Sequence, residues 1–464
     1  MTKTEMADSR WLRRVGLVAF AALAGCTPDA DEHTVTRALH GTDEMPAMRV
    51  FTDLPVTPPT RTNAAIAQDF LDLTFRTESG GEIAAFTRFE GPVSLRIAGE
   101  APGTLVSDLR ALLARLHDEA EIDIFLTGAP EAAITVEAVP RAGIAHAAPR
   151  ATCFAVPRVR DWEDFLARAG SPVVDWTTLA RRDRAAIFVP MDAAPQEIRD
   201  CLHEELAQAL GPPNDLWRLP DSVFNDDNAH SVLTGFDMLV LRIFHSHDLR
   251  SGMTRDEVAA ALPALLARLN PAGEMEGGPV AETPKHWIQA IETALATEEL
   301  PAARRRAAAQ AVGIARAEGW DGVRLGHALH VEAHLTAGIA PDRAQALEEE
   351  AMDIFRTRPE TAPHRAQAAL QLAGFALRAG DAAKVLALVD EAAPLAEAHG
   401  DALRLSQLLM FRAEALELQG RPAEAAGARL DSRAWGRYGI GSEDAILARE
   451  ASIAALNPAR RSIP

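Results

Sequence analysis

Three glycines at nearly constant spacing divide the C-terminal part of this 464-residue chain into helix–turn–helix units. Gly338, Gly380 and Gly420 lie 42 and 40 residues apart, and each is flanked on both sides by stretches rich in Ala, Leu, Glu and Arg. Apolar residues spaced three and four apart favour amphipathic helices, and glycine suits the end of a helix because it tolerates a left-handed backbone. Each hairpin needs a neighbour to bury its apolar face. The segment 286–464 is therefore predicted to be an all-α domain of helical hairpins.

These hairpins resemble tetratricopeptide repeats with a longer period than usual. Small residues beside Leu, such as Ala376-Leu377 before Gly380 and Ala415-Leu416 before Gly420, would let paired helices approach closely. The resemblance implies a concave surface that binds a protein or peptide partner. A plain helical bundle is the alternative.

The start of the chain carries an export signal. Three arginines precede an apolar run from Val15 to Leu23, which is too short to span a bilayer as a helix. The Leu-Ala-Gly-Cys sequence that ends at Cys26 resembles a bacterial lipobox, which implies that residues 1–25 are removed and that Cys26 carries a membrane-anchoring lipid. Thr27 follows instead of Asp, which by the habit of such lipoproteins implies the outer membrane, facing the periplasm. Residues 26–48 are then predicted to be a tether.

Charge and periodicity divide the rest of the chain. The net charge of −19, without a basic stripe, excludes a nucleic-acid partner.

Residues 49–269 combine two kinds of periodicity. Strand-like alternation occurs in the stretch from Thr87 to Ile97, and helical periodicity occurs in the stretch from Pro195 to Leu210. This mixture predicts an α+β domain. Residues 270–285 contain Pro, Gly and Glu without periodicity and are predicted to be a linker.

Residues 204–214 have the spacing of a zinc-peptidase motif with the zinc ligands exchanged. In metzincins the motif is His-Glu-x-x-His-x-x-Gly-x-x-His, in which a helix presents two ligands and a glycine turns the chain toward the third. Here Glu204, Gln208 and Asn214 stand at the three ligand positions. Glu205 stands at the position of the catalytic Glu, and Gly211 stands at the turn. The motif is therefore similar to that of metzincins in spacing but not in ligand chemistry.

Further residues extend this resemblance. Phe224 stands where metzincins have a Met in a tight turn beneath the metal, and Asp215 would supply another carboxylate. More closely, the segment from Arg49 to Glu257 resembles an uncharacterised bacterial family, often lipoproteins, known as domain of unknown function 2927. The matching sequences include Phe70–Phe75, Thr87–Pro92, Glu204–Gly211, Asn214-Asp215 and Asp221–Asp226. This resemblance implies a metzincin-like fold for residues 49–269, without an established activity.

The altered ligand set decides which metal the motif would accept. The side-chain amides of Gln208 and Asn214 are weak zinc donors. An oxygen-only set suits a hard cation such as calcium better than zinc. We therefore favour a site without a tightly bound cofactor, with a divalent zinc or calcium ion as the alternative. In an active peptidase, Glu205 would be the general base.

Two cysteines remain after the lipobox, Cys153 and Cys201. In an oxidising compartment an isolated pair is predicted to form a disulfide. The bridge would join a strand-like run to the motif helix, and two buried thiols are the alternative.

His330 and His334 have the i, i+4 spacing of a chelating pair, but within an Ala-rich hairpin we interpret them as packing residues.

Together these features favour an envelope lipoprotein that acts as a binding or scaffold protein with a degenerate metallopeptidase-like cleft. Its predicted partners are the membrane, through the lipid on Cys26, and a protein or peptide, through the helical repeats. The alternative hypothesis is a metal-dependent peptidase or hydrolase with unusual oxygen-rich ligands.

Overall fold

The computed structural model describes residues 45–461 apart from residues 53, 78–79, 150 and 279. The predicted signal peptide, the lipidation site at Cys26 and most of the predicted tether lie outside the described residues. The chain divides into two compact units. Among the described residues, unit 1 comprises Leu54–Gln289 and Arg358–Pro363, and unit 2 comprises 45–52, Ala290–Thr357 and 364–461.

A five-stranded mixed sheet organises unit 1. Its strands are β1 Val93–Ala98, β2 Ile124–Leu126, β3 Ile134–Val139, β4 Phe154–Pro157 and β5 Ala185–Pro190. The strand order is β2-β1-β3-β5-β4, and all neighbours are parallel except β4 and β5. Both faces of the sheet are covered, because Ile187 and Val189 belong to one buried apolar cluster whereas Ala186 and Phe188 belong to another.

Helices surround this sheet and confirm the prediction of a domain that mixes helices with strands. They are α1 Asn63–Thr74, α2 Leu105–Ala120, α3 Arg141–Ala147, α4 Trp162–Arg168, α5 Pro195–Leu210, α6 Gly235–Phe244 and α7 Arg255–Leu269. Helix α8, Lys285–Leu295, begins in unit 1 and ends in unit 2. Short 3-10 turns lie at Pro172–Val174, Trp176–Thr178, Pro271–Gly273 and Pro359–Thr361. Helix α5 has the bounds expected from the sequence, and it follows β5 directly.

The strand expected from Thr87 to Ile97 is shorter in the structure. It begins only at Val93, after Pro92. Within the expected stretch, the Arg88 amide donates to Oγ of Ser251 (3.2 Å) and the Arg88 carbonyl accepts the Arg182 amide (3.2 Å). The Arg88 backbone therefore bonds to the turn before α7 and to the segment before β5, and not to a strand of the sheet.

Unit 2 is helical, and its helices pack in pairs. They are α9 Pro301–Ala317, α10 Val323–Thr336, α11 Pro341–Arg356, α12 Ala362–Arg378, α13 Ala382–Ala398, α14 Ala402–Leu418, α15 Pro422–Gly439, α16 Glu443–Ala454 and α17 Pro458–Arg461. This confirms the predicted all-α C-terminal region with helical hairpins. In the part of the chain that the structure describes, no helix is long and apolar enough to cross a membrane.

Two of the three predicted turn glycines end their helices in the left-handed conformation. Gly380 and Gly420 have φ angles of 76° and 70°. After each glycine, the next amide reaches back across the last turn, as the Asp381 amide does to the Ala376 carbonyl (2.9 Å). Gly338 does not use this conformation, because there the amides of the two following residues both donate to the Thr336 carbonyl.

His330 lies inside unit 2 and pairs with a carboxylate from the next helix. Its Nδ1 is 2.7 Å from Oε1 of Glu348, and both side chains are buried. Burial raises the pKa of Glu348, and the adjacent imidazole opposes that rise. The pairing ties α10 to α11.

An extended segment at the start of the described chain lies along α15. The Arg49 amide donates to the Ala434 carbonyl (3.0 Å), and the Phe51 ring stacks on Trp435 with ring centroids 4.6 Å apart. The Arg437 guanidinium donates to the Pro46 carbonyl (2.8 Å). Residues 46–48, assigned to the tether from the sequence, therefore belong to a packed segment of unit 2.

Candidate functional site

Helix α5 places the motif carboxylates at different depths. Pro195 opens the helix, where its missing N–H costs no hydrogen bond. Glu205 is fully buried with only 1% of its surface exposed, whereas Glu204 is half-buried. Burial, reinforced by the charge of Asp200 one turn earlier, raises the pKa of Glu204 to about 7. Burial therefore favours the protonated form of Glu204 more strongly than in an exposed glutamate.

The predicted disulfide between Cys153 and Cys201 is present. Its sulfurs are 2.03 Å apart and the Cα atoms are 6.0 Å apart. The bridge joins α5 to the residue before β4, and both cysteines are buried. The motif helix is thus covalently attached to the edge of the sheet.

The carboxylates lie against this disulfide. Sγ of Cys153 and one carboxylate oxygen each from Glu204 and Glu205 all lie within 4.8 Å of one another. Among the described residues, no other group of three His, Cys, Asp or Glu ligand atoms is this compact. A disulfide sulfur carries no charge and is not the thiolate that metals prefer, so in this state the two carboxylates are the only anionic donors of the cluster.

The two amides of the motif have structural contacts. Nδ2 of Asn214 donates to the Asp72 carbonyl of α1 (2.9 Å), which holds the loop after α5 against α1. Nε2 of Gln208 donates to Oδ2 of Asp215 (3.3 Å). A zinc ion needs three strong protein donors in a catalytic site, and these amides do not fit that requirement.

Gly211 is required by close packing rather than by its φ angle. A Cβ atom at this position would lie 2.6 Å from Cδ2 of Leu241 and 2.9 Å from the Ala207 carbonyl oxygen. The glycine of the motif therefore lets α6 approach the end of α5.

The last four carbonyls of α5 all have hydrogen-bond donors. The Gly211 amide donates to the Ala207 carbonyl (2.7 Å), and Nη1 of Arg182 donates to the next two carbonyls, at 3.0 and 2.9 Å. Nε2 of His245 donates to the Leu210 carbonyl (3.0 Å). Burial lowers the pKa of Arg182 to about 9, so its positive charge at pH 7 faces the negative end of the helix. No local sequence pattern predicts either contact, because Arg182 and His245 lie 26 and 35 residues from the carbonyls that they bind.

His245 makes the stability of unit 1 depend on pH. Burial lowers its pKa to about 4, from 6.5 in the unfolded chain. Below pH 6.5 the unfolded chain takes up a proton that the folded chain excludes, so stability falls as the pH drops toward 4, by up to about 3 kcal/mol. We expect His245→Gln, whose amide can still donate to Leu210, to remove this loss, as measured by urea unfolding at pH 7 and pH 4.5.

The exposed neighbour His247 provides the matched control. His247→Gln should leave the pH dependence of the wild-type chain unchanged. Parallel stability curves for wild type and His245→Gln between pH 7 and 4.5 would contradict this role for His245.

The turn that contains Phe224 is fixed from α6. Phe224 is fully buried in the apolar core. The carboxylate of Asp237 accepts the amides of Val223 (3.1 Å) and Thr234 (2.8 Å), so one side chain holds both the turn and the start of α6. Burial raises the pKa of Asp237 to about 6. The sequence analysis did not identify Asp237, although its Thr-x-x-Asp spacing from Thr234 is that of a capping box.

A buried charge network holds the loop between α5 and α6 on α1. Nε of Arg218 donates to Asp69 and its Nη2 donates to Asp72, each at 2.8 Å. Arg61 also pairs with Asp69, and Arg255 pairs with Asp72 at 2.9 Å. The two buried carboxylates are therefore neutralised from several segments.

His203, which flanks the motif, is also a structural residue. Its Nδ1 accepts the Leu233 amide (3.2 Å), and burial lowers its pKa well below 6.5. It is therefore neutral at pH 7 and fastens α5 to the segment before α6.

Comparisons with known proteins identify a family for one segment of the chain. No curated protein and no solved structure matches the chain. Residues 63–264, which run from α1 into α7, match the family described as "Protein of unknown function (DUF2927)". This match includes every motif position of α5 and supports the assignment of the segment to an uncharacterised family.

Proposed function

We propose that this protein is an envelope lipoprotein that binds a protein or peptide partner, and that residues 49–269 form a metzincin-like domain whose metallopeptidase site is degenerate. The observation that carries the proposal is the use of the motif amides. Asn214, at the third ligand position, holds the loop on α1. Gln208, at the second, contacts Asp215. Both contacts involve the amide nitrogens and help to hold the loop after α5 in place.

The position of α5 supports the likeness to metzincins. The motif helix follows the last strand of the sheet and is followed by a turn with a buried Phe224. Under this proposal Phe224 replaces the turn methionine as an apolar support beneath the cleft.

The helical pairs of unit 2 support partner binding. Hairpins α10–α11, α12–α13 and α14–α15 repeat a unit of similar length, in agreement with tetratricopeptide-like stacking. Residues 46–51 pack on α15 as an extended segment, which is an example of a helical-hairpin surface that binds an extended chain. We propose that the lipid on Cys26 retains the protein at the outer membrane, facing the periplasm.

The carboxylate pair favours a second candidate function. Glu204 and Glu205 lie close together, so a group bound by one carboxylate lies near the other. In this alternative the protein is a metal-dependent peptidase or hydrolase, and Glu205 is the general base.

Glu205→Gln separates the two functions because it is nearly isosteric and removes only the base. The test measures zinc-dependent hydrolysis of a dye-quenched casein by the oxidised wild-type chain and by the oxidised variant. If the protein is a binding protein, the wild-type chain should hydrolyse no more casein than the variant. In-cell crosslinking should give the same discrete protein adduct with both chains.

The control is Glu197→Gln, in the first turn of the same helix, where Glu197 pairs with Arg141 (2.7 Å). Zinc-dependent hydrolysis that is lost by about a hundredfold or more in Glu205→Gln, but retained in Glu197→Gln, would overturn the binding proposal in favour of the hydrolase.

A further inference from the structure

Three potential metal ligands, Cys153, Glu204 and Glu205, lie close together at the disulfide of unit 1. Cys201, Glu204 and Glu205 occupy positions i, i+3 and i+4 of α5, so their side chains share one face of the helix. Cys153 approaches this face from the residue before β4. Its Sγ and an oxygen of each glutamate already lie within 4.8 Å of one another, and Cys201 is bonded to it.

We propose that reduction of the Cys153–Cys201 disulfide creates a binding site for a thiophilic divalent cation such as Zn²⁺, formed by Cys153, Cys201, Glu204 and Glu205. Two thiolates and two carboxylates supply four donors, which is the coordination number of structural zinc sites, and both donor types bind zinc in proteins. The thiolates select Zn²⁺ or Co²⁺ over Ca²⁺ and Mg²⁺. This set differs from the motif positions Glu204, Gln208 and Asn214.

The redox step is a two-electron thiol–disulfide exchange. A dithiol reductant is oxidised to its own disulfide, the S–S bond between Cys153 and Cys201 breaks, and each sulfur receives one electron and one proton. The cation then displaces the thiol protons as both sulfurs bind it. In the oxidised chain neither sulfur carries a charge, so reduction is the switch that completes the site.

The surrounding charges favour the cation over a free thiolate. Two carboxylates close to Sγ of Cys153 disfavour a thiolate there, because like charges repel in a buried environment. A bound divalent cation removes this repulsion, because its two positive charges offset the negative charges of the thiolates and the carboxylates. Glu204 is only half-buried, so it offers the cation a route from solvent to the buried sulfurs.

Cobalt is the probe because its thiolate complexes absorb light. The full chain is reduced with a phosphine, which is removed before Co²⁺ is added. We expect one equivalent of Co²⁺ to bind, with sulfur-to-cobalt charge-transfer and tetrahedral d–d bands. The oxidised chain should show neither band. Glu204→Gln and Glu205→Gln should each weaken binding by at least about tenfold, while Glu197→Gln should bind like wild type.

Each outcome decides for or against the site. If reduction loosens unit 1, Co²⁺ should restore its circular dichroism together with the absorption bands. A reduced chain that gives no charge-transfer band, whether folded or unfolded, overturns the proposal. Equal Co²⁺ affinity in wild type and both glutamate variants overturns it as well, since the carboxylates would then not be ligands. These measurements are independent of any partner or hydrolytic activity.

Discussion

Arg218→Met should lower the free energy of unfolding of unit 1 by about 3–5 kcal/mol, because it removes the buried arginine that pairs with both Asp69 and Asp72. Arg218 is buried and donates to both Asp69 and Asp72 at 2.8 Å. Methionine retains much of its apolar volume but none of its hydrogen bonds. Urea unfolding monitored by tryptophan fluorescence measures the loss.

The matched control is Arg181→Met. Arg181 pairs with Asp183 at 2.8 Å, but both side chains are more than half exposed, so this change should cost less than about 1 kcal/mol. Adding Asp72→Asn to Arg218→Met should recover part of the stability, because it removes one buried negative charge that has lost its contact with Arg218. If Arg218→Met costs no more than Arg181→Met, the charge network does not hold the loop on α1.

Replacing both Cys153 and Cys201 by Ala should cost about 4 kcal/mol, because the bridge closes a loop of 48 residues and thereby restricts the unfolded chain. The loss should appear as a lower urea midpoint of the oxidised protein. The fold itself should persist at low temperature, since the apolar cluster around α5 contains many residues besides the cysteines.

Reduction of the wild-type chain provides the control for this prediction. In a metal-free buffer with reductant, wild type should unfold at nearly the same urea concentration as the double variant. A double variant as stable as the oxidised wild type would show that the disulfide does not stabilise unit 1.

Sequence patterns predicted the helices whose ends are determined by residues nearby in the chain. The bounds of α5 follow from Pro195 at its start and Gly211 after its end. The hairpins of unit 2 follow from apolar spacing and glycine turns. The stretch Thr87–Pro92 has the alternation of a strand, but the Arg88 backbone bonds to Ser251 and Arg182, and no local pattern contains that information.

The organisation of the site depends on distant contacts, which a single sequence does not reveal. Motif spacing located Glu204 and Glu205, and cysteine counting located the disulfide. The donors to the end of α5 come from positions 26 to 35 residues away, and the Arg218–Asp69 contact spans 149 residues. The contact of Asn214 with the Asp72 carbonyl spans 142 residues. Its role as an anchor of the loop could not be predicted from spacing.

The packing of residues 46–51 on α15 has a mechanical consequence. If Cys26 carries the proposed lipid, the chain between the bilayer and Met45 can extend to at most about 65 Å. A pulling force on that chain would reach the Phe51–Trp435 stack before it reached any element of unit 1. Unit 2 would then bear the load, and the disulfide-braced sheet would be shielded from tension at the membrane.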